Sequence, residues 1–216
     1  MPQVRDSNHL TDRIEDLRAE IRGADPADLA TRTGAAYTGK GDATGEFCLE
    51  LWDRAIRLSY PELNATDSQT GKPLSSSMQA MVLYYFKLSD GTSPSGRWIS
   101  FSELPDGRFY NAAFQGYSGK LIAQQFQNDI RTFIQAAEGV GGQVLTQAAG
   151  LGDAALAFKI LPRVNLAVIY WLGDEDFPAS CQVLFDASAP HHLSTDGCAI
   201  LGSILTQRII KATGEH

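Results

Sequence analysis

Basic charge is in short supply in this chain, where 18 lysines and arginines stand against 25 aspartates and glutamates for a net charge of −7. The summed field repels phosphate backbones and anionic headgroups, so nucleic acid and membrane surfaces are not expected partners. Arg13, Arg18 and Arg22 alternate with acids on one helical stretch, which is the pattern of a solvated face. Long apolar runs are missing as well: the longest, Leu166–Leu172 and Ala199–Leu205, are far too short to cross a bilayer. The start Met1-Pro2-Gln3-Val4-Arg5-Asp6 has no apolar stretch after a basic end, so no secretory signal is expected and the cytoplasm is the expected compartment. Cysteine is sparse. Cys48, Cys181 and Cys198 are an odd number at wide spacings, which argues against a disulfide framework and suits buried small hydrophobes in a reducing compartment.

Absent motifs exclude further classes. No Gly-x-Gly-x-x-Gly follows a strand, and no phosphate-cradling Gly-x-x-x-x-Gly-Lys-Ser/Thr, His-Glu-x-x-His or Gly-x-Ser-x-Gly occurs. Without a Cys-x-x-Cys pair, three scattered thiols are not expected to hold an iron-sulfur cluster.

What is present is a pattern of blocks. Leu10, Ile14, Leu17 and Ile21 recur at helical steps after Ser7, a candidate N-cap, and predict an amphipathic helix within residues 1–24. Its narrow stripe would pack on the rest of the chain or pair with a protein partner or a second copy. Asp25-Pro26 opens a short helix that ends near Gly34. Alternation between Gly45 and Tyr60 predicts a hairpin, the polar cluster from Asn64 to Lys72 a loop, and Pro73 the start of a buried helix. The segment from Arg97 to Tyr110 is only moderately strand-like, while Ile122 to Ala137 repeats as one helix from about Ser118. Ala154–Leu161, Val164–Leu172 and Cys181–Phe185 read as strands, and a last helix capped at Ser194 or Thr195 is expected to bury Ile200, Leu201, Ile204, Leu205 and Ile209. Strands and helices in blocks predict an α+β fold: residues 25–216 as a single domain, its largely antiparallel sheet flanked by helices.

Three constellations carry possible chemistry. Asp174, Glu175 and Asp186 with His191 and His192 offer carboxylates and imidazoles suited to a transition metal, or else form a solvated turn and a surface loop. Trp98, Phe101, Tyr110 and Phe114, with Glu103 and Arg97, line a pocket for a flat ligand or form a core edge. A nucleophilic Cys181 or Cys198 activated by His191 or His192 is the third reading, against a buried structural thiol.

The segments Arg97–Pro105, Gly152-Asp153, Leu161-Pro162, Trp171–Ala179 and Leu184–Asp186 resemble an uncharacterised domain family of bacteria and archaea, common in anaerobes, over residues from about 30 to 210. Some members of that family carry an iron-sulfur module like that of corrinoid iron-sulfur proteins, which this chain lacks. The resemblance implies a role near anaerobic one-carbon or corrinoid metabolism and marks Trp98, Phe101, Glu103, Asp153, Asp174, Glu175, Phe177, Pro178, Phe185 and Asp186. The expected function is therefore a cytoplasmic binding or accessory protein for a small ligand or cofactor, itself not catalytic. In it Trp98, Phe101, Tyr110 and Phe114 supply apolar contact, Glu103, Asp174, Glu175 and Asp186 fix orientation, and His191 or His192 is an axial ligand to a tetrapyrrole or corrinoid metal. The alternatives are a metal-dependent enzyme built on the carboxylates and histidines and an assembly protein acting through the N-terminal helix. The leading reading requires the acids after Trp171 and the rings from Trp98 to share one hollow.

Overall fold

The computed structural model describes residues 3–145 and 152–214. They fall into two compact units: the chain up to Ser93 with Leu161–Arg163 and His191–Leu193, and Pro94–Ile160 with Val164–Pro190 and the chain from Ser194. Each combines an antiparallel sheet with flanking helices, which is the α+β class that the blocks predict. Among the described residues no helix is long and apolar enough to cross a membrane.

In the first unit, helix α1 (Gln3–Ile21) buries Ile14, Leu17 and Ile21 and packs on α3 (Ser76–Leu88). Arg13 Nε donates to the Tyr84 hydroxyl at 2.7 Å, and Glu20 pairs with Lys87. The apolar stripe is thus covered within its own unit. The helix starts before Ser7, so that residue lies inside it and not at its cap. Helix α2 (Pro26–Thr33) has the expected ends: the Asp25 carboxylate accepts from Ala27 N–H, and Gly34 closes the helix at φ 71°.

The predicted hairpin is β2 (Thr44–Leu51) paired with β3 (Arg54–Tyr60), with Phe47 opposite Leu58 and Leu49 opposite Ile56. Two further strands, β1 (Ala36–Gly41) and β4 (Ala65–Asp67), flank it in the order β1-β2-β3-β4. Neither has apolar alternation. A buried amide ties β4 to the helix layer instead: Gln79 on α3 accepts from Ala65 N–H at 2.9 Å and donates to Ala65 C=O at 2.7 Å. Ser75 caps α3, so the helix begins just beyond the expected Pro73.

The second unit is built on a sheet of order β5-β9-β8-β7-β6, with β5 Trp98–Ser100, β6 Gln143–Val144, β7 Ala154–Leu161, β8 Val164–Trp171 and β9 Ser180–Asp186. Phe109 and Tyr110, expected in a strand-like or irregular segment, lie in helix α4 (Gly107–Tyr117), where Tyr110, Phe114 and Tyr117 recur at helical spacing. The single helix expected from Ser118 is two, α5 (Gly119–Phe126) and α6 (Ile130–Gly139), broken at Gln127, whose φ is +48°. The Asp129 carboxylate then caps α6. Gly119 lets the start of α5 sit directly on the Cys181 carbonyl of β9, where a Cβ would clash. Helix α7 (Thr195–Lys211), capped by Ser194, buries Leu201, Leu205 and Ile209, whereas Ile200 faces outward and Ile204 is half-buried.

Candidate functional site

Within the second unit, the outer surface of α5 and the end of the β8–β9 hairpin enclose a cleft of about 940 Å³. That is the size of a site for a small organic molecule. Lys120, Ala123, Gln124 and Gln127 reach it from one face at steps of three, one and three, the spacing of neighbours along a helix. Trp171, Ser180 and Gln182 come from the facing strands and Phe177 from the turn between them. Gln115 at the end of α4 completes a set of amides. Each amide offers both a donor and an acceptor, and indole and phenyl rings stand beside them. Lys120 is the one cation in this lining.

The walls are held by backbone contacts. Gly173 N–H donates to Asn128 Oδ1 at 2.8 Å, and Asn128 Nδ2 donates to Gly173 C=O at 3.4 Å, so one side-chain amide joins the two walls. Leu172 N–H donates to Asp153 Oδ2 at 2.7 Å. The Asp174 carboxylate accepts from Asp176 N–H and Phe177 N–H at 2.9 and 2.8 Å, and these bonds hold its pKa below the ordinary aspartate value. Gln127 adopts φ +48°, ψ −121°, a conformation normally left to glycine. Its carbonyl accepts from the Tyr170 hydroxyl at 2.6 Å. Strain of this kind, of order 1–3 kcal/mol, survives only where the surroundings over-determine it and gathers at functional sites.

The residues marked by the sequence are dispersed. Phe101 and Phe114 are fully buried and stack at 4.2 Å against each other with Phe185 at 6.1 and 5.7 Å, so they are core and do not line the cleft. Trp98 pairs with Asp186 at one end of β9 and Trp171 with Ser180 at the other, so the two indoles, though both pack on the patch of Ala155, Ala167, Ile169 and Leu184, are not neighbours. Glu103 accepts from Ser100 N–H and hydroxyl at 2.7 and 2.8 Å, which pulls its pKa down and closes a capping box. Asp186 is buried. Burial alone would raise its pKa, but bonds from Ser95, Gly96 and Ser188 outweigh this and leave it lowered. Both of its oxygens are occupied, Oδ1 by the N–H and hydroxyl groups of Ser95 and Ser188 and Oδ2 by Gly96 N–H. Glu175 is exposed and Tyr110 lies outside the cleft; of the acids and the rings from Trp98 to Phe114 only Asp174 lines it, so the two groups do not share this hollow.

The histidines belong to the first unit. His192 is buried with Nε2 donating to Thr92 C=O at 2.9 Å and Nδ1 facing the Ser89 hydroxyl at 3.1 Å, so neither nitrogen is open to a metal. His191 Nδ1 meets Asp90 at 2.7 Å. Among the described residues no three His, Cys, Asp or Glu side chains group as a metal site. Cys181 and Cys198 are buried, and burial pushes both thiols up, the wrong direction for a nucleophile.

A family model described as a domain of unknown function (DUF3786) matches residues 25–208. The chain belongs to this family. The DUF3786 match runs from Asp25, the cap of α2, to the last turn of α7, and so takes in the whole cleft. No curated protein and no solved structure matches the chain. Sequence reasoning missed the amides. Their signal is the local run of Gln115, Gln124, Gln125, Gln127 and Asn128, a density of neutral hydrogen-bonding side chains beside an otherwise amphipathic helix.

Proposed function

We propose that this protein is a cytoplasmic binding or accessory protein that holds a small, flat, polar ligand or cofactor in the amide-lined cleft and performs no catalytic step on it. One observation carries the reading: the amides of Gln115, Gln124, Gln127 and Gln182 converge with Trp171 and Phe177 on a concavity of about 940 Å³ at a strained backbone position. Amides recognise by paired hydrogen bonds, and rings by stacking, which together suit a planar heteroatom-rich molecule. Asp174 and Asp186, two of the acids read as metal ligands, are engaged by backbone N–H groups, which favours binding over turnover. The corrinoid or tetrapyrrole connection, and a setting in anaerobic metabolism, belong to this proposal as its narrower form, with the cleft and not the histidines as the place of contact.

Native mass spectrometry of protein purified under anaerobic conditions, together with Trp171 fluorescence during titration with haem, cobalamin and flat carboxamides, tests both forms. The expected result is a retained small mass, or saturable quenching that the Gln124→Ala, Gln182→Ala double variant weakens about tenfold or more, as loss of paired hydrogen bonds demands. Quenching indifferent to that double variant, or no retained mass and no quenching by any probe, overturns the assignment to the cleft. An unchanged absorption spectrum on adding haem and cobalamin removes the tetrapyrrole form alone.

A further inference from the structure

A second concavity of the same unit lies between α4 and α7. Helix α4 presents Tyr110 and Tyr117, two turns apart, and α7 presents Asp196, Ala199, Ile200 and Ser203 at steps of three, one and three, around a space of about 360 Å³. None of these side chains lines the amide cleft. Tyr110 is 51% exposed and Ile200 49%, so the space is open to solvent.

The rings are fixed in place. Tyr110 and Tyr117 stand 6.3 Å apart at 53°, with Phe114 meeting Tyr117 edge-on at 5.6 Å and Phe101 meeting Tyr110 at 6.4 Å. The rigid core aromatics therefore buttress both tyrosines from behind. The start of α7 is pinned by Thr195, whose hydroxyl donates to Pro105 C=O at 2.5 Å. Burial first, then Tyr110 and the charge of Asp196, push the Tyr117 hydroxyl up to about 12, so it stays a neutral phenol at neutral pH. No lysine or arginine belongs to the lining.

Two electron-rich faces set at an angle, a carboxylate beside them and no competing cation form the chemistry that recognises a soft, weakly hydrated cation. A bare ammonium is strongly hydrated and loses more on leaving water than two rings return, whereas methyl groups spread the charge and pack on rings and on Ile200. The chain's net charge of −7 adds a favourable long-range field. We infer that the α4–α7 groove is a binding site for a methylated ammonium group, with Tyr110 and Tyr117 against its methyls and Asp196 as its counter-charge.

The test uses the full chain and tetramethylammonium chloride, titrated against sodium chloride at matched ionic strength and followed by proton NMR. The expected result is saturable binding with the methyl resonance moved upfield by the tyrosine rings. Tyr110→Leu should weaken it about tenfold and Asp196→Asn about fivefold or more, while Tyr110→Phe, which keeps the ring, stays near wild type. Tyr110 is half-exposed, so its variants are expected to fold, and circular dichroism checks that they do. Equal binding of the uncharged isostere 3,3-dimethylbutan-1-ol, or indifference to both Tyr110→Leu and Asp196→Asn, overturns the site. Choline and a trimethyllysine peptide then distinguish a free small molecule from a modified side chain as the source, and tighter binding of either supports the inference.

Discussion

Gln79 shows how much one side chain can decide at the scale of a residue. Strand β4 is three residues long, and its Ala65 would present an unpaired N–H to a buried helix layer without the Gln79 amide, while its C=O, which Gln79 also reaches, accepts from Leu74 N–H at 3.0 Å as well. Gln79 is 7% exposed, so water does not replace it. Replacing it with leucine of similar size leaves one buried backbone N–H without a partner, at about 1–3 kcal/mol, while the Ala65 C=O keeps Leu74 N–H. We expect Gln79→Leu to lower the urea midpoint of the first unit by an amount worth about 1–3 kcal/mol, with the slope unchanged. A midpoint equal to wild type would show that Ala65 finds other partners. Asp186, Glu103, Asp153 and Asp174 follow the same logic on the other sheet: four acids at positions marked by family resemblance all accept backbone N–H groups at strand ends or turns. Their chemistry is architectural, and a carboxylate whose lone pairs are filled by amides has little left for a cation.

At the scale of elements, the break at Gln127 separates what the sequence revealed from what it concealed. Apolar periodicity located α1, the β2–β3 hairpin, α3 and α7, apolar runs the strands β7 to β9, and the Asp25-Pro26 start with the Gly34 stop located α2. The division of α5 from α6 has no such mark, since Ile122, Phe126, Ile130 and Phe133 stay in helical register across it. What divides them is tertiary: the Asn128 amide is taken by Gly173 and the Gln127 carbonyl by Tyr170, both far away in sequence. The cleft was hidden for the same reason. Acids and histidines draw the eye in a sequence, yet here the acids tie down turns, and the groups facing the concavity are glutamines with no motif of their own. Gln127→Gly removes a Cβ from a positive-φ position and is expected to raise stability by about 1 kcal/mol in chemical denaturation, relief of left-handed strain outweighing added chain entropy. The same variant loses one amide from the cleft and should weaken any ligand quenching of Trp171. A destabilised Gln127→Gly would mean that the side chain, and not the backbone geometry, maintains the break.

For the whole molecule, two buried titratable groups in different units make acid sensitivity a way of reading each unit separately. His192 belongs to the first unit and burial lowers its pKa, so the folded chain keeps it neutral where the unfolded chain already binds a proton. Its contribution to stability is present above the unfolded value of about 6.5 and declines as pH falls below that. The charges around it do not cancel this, since Asp90 favours protonation while Arg163 and His191 oppose it. Asp186 belongs to the second unit, and its amide and hydroxyl partners hold its pKa down, so its contribution persists until pH drops through the unfolded aspartate value of about 3.9 and below. Hydrogen exchange between pH 7 and pH 4.5, corrected for intrinsic rates, should therefore show protection falling first around Ser89 to Thr92 and the strands of the first sheet, with Ser95, Gly96 and Ser188 still protected by Asp186. His192→Gln, which keeps a donor and an acceptor but does not titrate, should remove the decline between pH 7 and pH 5 without touching the one near pH 4. Simultaneous loss of both regions would mean that the units share one cooperative transition whose acid limb is set by the carboxylates, and the histidine would then have no separate part in it.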